Sequence, residues 1–535
     1  MSTPPPPAPD LNPAMRNPVM LAAALALFDN RLHDAEPLLR SRLKEDPFDV
    51  AAIRMMAEIA GRIGRYKDAE TLLRRAIFLA PGFLAARSNL ATVLYRQHRV
   101  KDALSELDTL LEYEPDDVGN ANLRAAAMGQ IGNYEEAIKL YEHVLNRASK
   151  HPKIWMSYGH ALKTVGRQSD SISAYRKAIK FAPQLGEAWW SLANLKTVKF
   201  DDADIAAMES VLGKNDLEDE DRFHLHFALG KGYEDRRNAK TAFDHYAQGN
   251  ALRRAGIEYD AGATSAHVDA AIALLTPEFL AARKDAGCPA TDPIFILGLP
   301  RAGSTLIEQI LSSHSMVEGT MELPDMPAIA GRLGGIEQWP QRLSTADADT
   351  LRRMGESFLE TTRIQRKTER AFFIDKLPNN WINIALILTI LPNARIVDAR
   401  RHPLSCCFSN YKQHFARGQN FSYSLPDIGQ YYADYVRLMR HVDTVAPGRV
   451  VRVIYEDMVA DDEAQIKQLL TALDLPFEEA CLSFYQNDRA VRTPSSEQVR
   501  QPIFTSGTEQ WQMFEPWLGP LQEALGNVLT DYREG

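Results

Sequence analysis

Along the first two hundred residues the hydrophobic positions fall on one face of successive helices, and the amphipathic helices so predicted come in pairs at a fixed spacing. Shifting the chain against itself by 34 residues aligns Ala35, Ala69, Ala103, Ala137 and Ser171, small residues suited to close helix contact. The same shift aligns Pro47, Pro81, Pro115 and Pro183, with Ser149 at the step that lacks proline, and Gly64, Gly132 and Gly166, with His98 in the gap. The glycine column predicts the turn inside each pair. The proline column predicts the end of the second helix, because proline lacks an N–H donor and clashes with the preceding turn. At Pro293 the period changes. PIFILG (293–298) reads as a short buried parallel strand running into LPRAGSTLIEQILSSH, a glycine-containing loop and a helix. That order suggests phosphate binding, since a helix N-terminus offers free N–H groups and the positive end of its dipole.

The segments GRYKDAETLLRRAIFLAP (64–81) and GNYEEAIKLYEHVL (132–145) resemble the tetratricopeptide repeat, over about residues 14–200. HFALGKGYEDRRNAKTAFDHYAQGNAL (226–252) resembles a degenerate last repeat or cap. The resemblance implies an all-α superhelix whose concave groove takes a protein or peptide, with a spacer or a dimerisation surface as the plainer role.

At 535 residues the chain exceeds one ordinary core, and 45% hydrophobic with 24% charged residues is a globular composition. No stretch approaches the roughly 20 apolar residues of a membrane span. A net charge of -9 argues against a nucleic-acid groove and requires any phosphate site to be a local basic pocket. Cys288, Cys406, Cys407 and Cys481 show no zinc-ligand spacing, so free thiols in a reducing compartment and no metal are expected. The opening MSTPPPPAPDLNPAMRNP lacks the features of a secretory signal and reads as a disordered Pro-rich tail of a cytoplasmic protein.

Against the template GxxxxGK[ST], residues 298–305 keep both glycines and Thr305 but place Ser304 where the lysine belongs, which argues against an ATPase or kinase. In this Pro-Arg-x-Gly-[ST]-Thr form the loop resembles that of the sulfotransferase superfamily. The resemblance implies that Pro300, Arg301, Ala302, Gly303, Ser304 and Thr305 surround the 5'-phosphosulfate of 3'-phosphoadenylyl sulfate, with Arg301 contacting the anion. About 100 residues on, ARIVDARRHPLSCCFSN (394–410) resembles the family's 3'-phosphate site and implies Arg401 and Ser409 as its ligands; Arg400 beside them reads as a solvated charge. Glu322 lies 21 residues after Arg301, where protein-tyrosine sulfotransferases place their general base. By the same resemblance Lys376, ending FFIDK, stabilises the bridging oxygen of the leaving nucleotide, Ser495 joins Lys376 around the phosphosulfate, and Tyr455 lies near the adenine. His314 matches a structural histidine, and Tyr455 and Trp381 could equally be core aromatics.

The expected architecture is therefore an N-terminal all-α repeat superhelix followed by a P-loop-like α/β sulfotransferase domain with a central parallel sheet. Its expected segments are a tail at 1–13, repeats at 14–215, a degenerate repeat, capping helices and linker at 216–289, and the sulfotransferase domain at 290–535. The expected reaction passes a sulfuryl group to a hydroxyl of a tyrosine, glycan, lipid headgroup or small alcohol and leaves adenosine 3',5'-bisphosphate, with the repeats recruiting the acceptor or a partner. Two departures stand out. Gln510 precedes Trp511 where related enzymes carry lysine or arginine, so one phosphosulfate contact is missing or comes from Arg500. LPDMPAIAG (323–331) has no arginine to hold an acidic peptide. The alternative is a repeat scaffold with a weakly active or inactive nucleotide-binding domain.

Overall fold

The computed structural model describes residues 8–12, 16–335, 338–416, 418–491, 493, 495–503 and 508–534. Much of the expected Pro-rich tail, residues 1–7 and 13, lies outside the described residues. The chain divides into two compact units, Met1–Leu162 with Ser169–Phe181, and Lys163–Gln168 with Ala182–Gly535.

Paired helices make up the first unit, among them Val50–Arg62 with Tyr66–Leu79, Leu84–Arg96 with Val100–Tyr113, and Val118–Gln130 with Tyr134–Arg147. The turn column has a backbone cause. Gly64, Gly132 and Gly166 have φ of 80°, 78° and 81°, and His98, which fills the gap, is also left-handed at 60°. That conformation is free for glycine and strained for most other residues. The column extends one step further back than the sequence pattern showed, to Asn30 at 56°. Ala35, Ala69, Ala103, Ala137 and Ser171 are fully buried, so the small-residue column is the line along which helices touch.

In the second unit the helices Gly186–Ala193, Asp219–Asp235 and Ala239–Ala255 precede a five-stranded parallel sheet. Its strands are β1 (Pro293–Gly298), β2 (Val317–Gly319), β3 (Phe372–Lys376), β4 (Arg395–Arg400) and β5 (Val450–Ile454), in the order β2-β3-β1-β4-β5. β1 is buried along its whole length, as its continuous apolar run requires of a central strand. It pairs Ile296 with Lys376 on one side and Gly298 with Ala399 on the other.

Arg400 is not the solvated charge its neighbourhood suggested. It is fully buried at the end of β4, donating to Asp398 Oδ2 (2.8 Å) and to the Tyr532 carbonyl (2.7 Å), while Asp398 also accepts from Arg452 (3.1 Å) and Tyr435. The alternation of β4 turns its side chain to the side opposite Arg401, where these partners replace water. His314 ends the helix after β1 fully buried: its Nδ1 accepts from the Met316 amide (3.1 Å), so its Nε2–H donates to the Pro476 carbonyl (2.9 Å). Trp381 is likewise buried, edge-on to Tyr431 and Tyr435. All four cysteines are buried and free. Among the described residues no helix is long and apolar enough to cross a membrane.

The helix Asp219–Asp235 meets the segment after β4 through aromatic contacts. His414 stacks on Phe223 (4.9 Å) and lies edge-on to His224 (4.5 Å). Burial pushes His224 down to about 4 and His414 down to about 2, from 6.5. An unfolded chain therefore binds more protons than the folded one below about pH 6.5, and stability present above that pH is lost as the pH falls toward 4. We expect thermal or urea unfolding to show a loss on the order of 4 kcal/mol between pH 7 and 5, about 2 kcal/mol from each histidine. His414→Phe is expected to flatten that profile.

Candidate active site

The expected residues come from separate stretches of sequence, yet each follows or ends a strand. Arg301 follows β1, Glu322 follows β2, Lys376 closes β3, Arg401 follows β4 and Tyr455 follows β5. They therefore gather at the carboxyl edge of the sheet, around the point where the order departs from β1 in both directions, which is where open α/β sheets form their crevices.

The loop after β1 is fixed by close backbone approach. Gly298 has φ of 134°, and a Cβ on it would lie 2.3 Å from the Ala399 carbonyl oxygen, so no larger residue fits. Gly303, at 99°, sits against Tyr455, whose Cδ2 would be 2.7 Å from an added Cβ. Between them Arg301 takes a left-handed φ of 68°, an unusual conformation for a residue with a side chain. The Pro300 carbonyl accepts from Asn410 Nδ2 (2.7 Å) and the Arg301 carbonyl from Arg401 Nη1 (3.1 Å), so the segment after β4 holds the loop. Ala302 is buried beneath it. The helix Ser304–Ser312 then starts from Gly303 with no side-chain cap.

Arg301 is the centre of the cleft. Its Nε donates to Ser409 Oγ (3.2 Å), Nη1 to Ser495 Oγ (2.5 Å) and Nη2 to Gln498 Oε1 (3.3 Å). No carboxylate pairs with it among the described residues. Burial, reinforced by Arg401, pushes its guanidinium down to about 10, which leaves it charged at neutral pH with its Coulomb attraction unspent. Arg401 lies 4.8 Å over the Tyr455 ring. Gly303, Ser304, Thr305, Arg401, Ser409, Tyr455 and Ser495 share with Arg301 one cleft of about 900 Å3, counted to its open mouth. A cationic floor, hydroxyls and an uncapped helix start suit a phosphate or sulfate, and the Tyr455 ring suits a flat base.

Glu322 and Lys376 form a second cluster and are absent from the lining of that cleft. Lys376 is almost wholly buried and donates to Glu322 Oε1 at 2.5 Å, while Glu322 keeps 45% of its side chain in solvent. Glu308 lies 3.9 Å from Lys376 and accepts from both Arg489 nitrogens (3.0 and 2.8 Å). Because Glu308 is one turn beyond Ser304, the loop helix links the two clusters. Ser495, expected beside Lys376, is instead held by Arg301.

The sequence reading missed Lys412, Gln498, Glu308 and Arg489. Lys412 lines the cleft with Gln510 and Trp511, whereas Arg500 does not and donates to the Arg489 carbonyl (3.3 Å). Helical spacing carried the signal for Lys412, since positions three apart share a face and Ser409 was already a candidate. Trp511 stacks on His402 at 5.5 Å, closing the wall after β4. Among the described residues no cluster of metal ligands occurs.

Residues 293–479 match the model of the sulfotransferase family, and residues 64–127 and 123–186 match tetratricopeptide repeat models. The chain joins tetratricopeptide repeats to a sulfotransferase-family domain. An uncharacterized protein of Aquifex aeolicus is 30% identical over 401 residues, 73% of this chain. The chain spans about half, 52%, of that relative's length. Protein-tyrosine sulfotransferase A of Caenorhabditis elegans is 23% identical over 285 residues, covering 51% of this chain and 73% of that protein. A solved sulfotransferase domain from the Synechococcus PCC 7002 olefin synthase is 23% identical, covers 43% of this chain and 90% of its own, and has a TM-score of 0.33.

The sulfotransferase-family domain distinguishes its two glutamates by burial. Removing one partner from a buried ionic cluster costs about 3–5 kcal/mol, because the remaining charges stay out of water. Glu308→Leu is therefore expected to destabilise by about that amount in urea titration, whereas Glu322→Gln, half in solvent, is expected to cost about 1 kcal/mol or less.

Proposed function

We propose that this chain transfers a sulfuryl group from 3'-phosphoadenylyl sulfate to a hydroxyl on an acceptor, leaving adenosine 3',5'-bisphosphate. The reaction is assigned to residues 290–535, with the repeats at 14–215 recruiting a protein acceptor or partner in the cytoplasm. One observation carries the reading: Arg301, with no carboxylate partner, is shared between Ser409 and Ser495 at an uncapped helix start. Two separate anion-binding elements thereby meet in one cleft, which fits a nucleotide with a phosphate or phosphosulfate at each end better than ATP.

When bound, the donor would supply an electrophilic sulfur. The work of the chain is to hold the donor and to stabilise its leaving oxygen. Arg401 and Ser409 hold the 3'-phosphate, Tyr455 packs on the adenine, and Pro300 to Thr305 surround the phosphosulfate through loop amides, Ser304 and Thr305. As the acceptor oxygen bonds to sulfur and the bond from sulfur to the nucleotide breaks, negative charge grows on the phosphate oxygen. Arg301, Lys376 and Ser495 are assigned to that charge, and losing one such contact typically costs about 100- to 1,000-fold in rate. Glu322, held by Lys376 and open to solvent on its other side, takes the proton of the acceptor hydroxyl. Its exposure leaves room for a large acceptor, so a tyrosine or glycan is compatible with the site.

Calorimetry with adenosine 3',5'-bisphosphate against ADP tests the nucleotide. We expect selective binding of the bisphosphate and a roughly tenfold or greater loss in Arg401→Ala. With labelled donor and a broad pool of acceptors, Glu322→Gln should lower transfer about 100-fold or more while bisphosphate affinity stays within about twofold. Equal binding of ADP would sink the assignment of the donor, and undiminished transfer by Glu322→Gln would remove Glu322 as the base.

A further inference from the structure

Beside Arg301 and Ser409 a second compartment opens, lined also by Lys196, Lys231 and Lys412 and by the carboxylates Glu234, Asp235 and Glu497. It shares Arg301, Ser409, Lys412, Gln498 and Gln510 with the nucleotide cleft, so the two adjoin. Its three lysines are not equivalent. Lys231 pairs with Asp235, and Lys412 donates to Glu234 Oε1 at 2.6 Å. The Lys196 ammonium has no hydrogen-bond or ion-pair partner among the described residues.

Lys196 also holds an uncommon backbone. It lies just past the helix Gly186–Ala193 with φ of 65°, a position where glycine is the unstrained residue. Its neighbour across the compartment, Arg301, is left-handed as well. The left-handed turn ends the helix, as at His98 and Asn30; the uncompensated ammonium is what a bound anion would explain. Burial and the cations Arg301, Lys163, Lys412 and Lys231 push that ammonium well below its ordinary value, a penalty that a bound anion would reverse.

We propose that Lys196 and Lys412 form an anion seat opening off the nucleotide cleft, built for a tetrahedral oxyanion, a phosphate or sulfate group. Two sources can supply it. One is the 3'-phosphate of the nucleotide, the other a phosphate or sulfate carried by the acceptor. Both sources rest on the sulfotransferase reading above; the seat itself does not.

Lys196→Gly is the informative variant, because it removes the ammonium while relieving the left-handed strain, so its melting temperature should equal or exceed that of the wild type. Two calorimetric titrations of the full chain read the seat: adenosine 3',5'-bisphosphate against adenosine 5'-phosphate, and inorganic sulfate added to protein saturated with the bisphosphate. We expect Lys196→Gly to lower one of them by roughly tenfold or more, with Lys196→Arg restoring most of the loss. A loss confined to the bisphosphate assigns the seat to the 3'-phosphate, and a loss confined to sulfate assigns it to a separate anion. If both titrations stay within about twofold of the wild type, the seat is refuted. Should the wild type bind no nucleotide, the proposed function fails, and sulfate titrated into the nucleotide-free chain still decides the seat.

Discussion

The approach of Gly298 to the carbonyl of Ala399 sets the geometry on which the site depends. With no Cβ to keep them apart, β1 can end flush against β4, and the chain can turn at once into a left-handed loop. That turn brings the Arg301 carbonyl within reach of Arg401 and the Pro300 carbonyl within reach of Asn410. The loop is therefore held by the strand and helix that carry Arg401 and Ser409, and neither segment is positioned independently of the other. Preorganisation of this kind means that a phosphate entering the cleft finds its donors already aimed, without the entropy cost of ordering a free loop.

Charge is handled in two ways in the same domain. Arg400 and Arg489 are held against the buried carboxylates of Asp398 and Glu308, and each carboxylate ties separate segments together. Arg301 and Lys196 are not paired with any carboxylate among the described residues, and both sit where the backbone is left-handed. A buried cation left uncompensated costs stability, so its retention is more readily explained by what it binds than by what it supports. This contrast also explains how a chain of net charge -9 can present a local anion site. Arg400 and Arg489 are neutralised by carboxylates beside them, whereas Arg301 faces the cleft without one.

The repeats and the strand-loop-helix were legible in the sequence because each rests on a local backbone requirement. Left-handed turns select glycine, close helix contacts select alanine, and a central strand selects an unbroken apolar run. That the column of turns admits His98 and Asn30 shows the requirement is on φ, with glycine only its cheapest solution. Arg301, Arg401 and Ser409 were named from the resemblance, and the structure brings them together because the loop after β1 meets the segment after β4. Arg400 was misread because its burial has no local cause. Its partners Tyr435 and Tyr532 are 35 and 132 residues away, and no local pattern says which of two adjacent arginines turns inward. Lys196 is more extreme still, since its significance depends on packing against residues over 100 positions later.

The loop helix Ser304–Ser312 couples functions that the sequence places far apart. Its first turn carries Ser304 and Thr305 in the cleft of Arg301, and its second carries Glu308, which holds Arg489 and stands 3.9 Å from Lys376. Lys376 in turn fixes Glu322. A displacement of this helix along its axis would move its free N–H groups and the Lys376–Glu322 pair together, so the relative geometry of the two clusters is protected even where their absolute position is not. The buried Glu308 is what makes the linkage rigid, because a carboxylate with charged donors on two sides has little freedom to follow one and abandon the other.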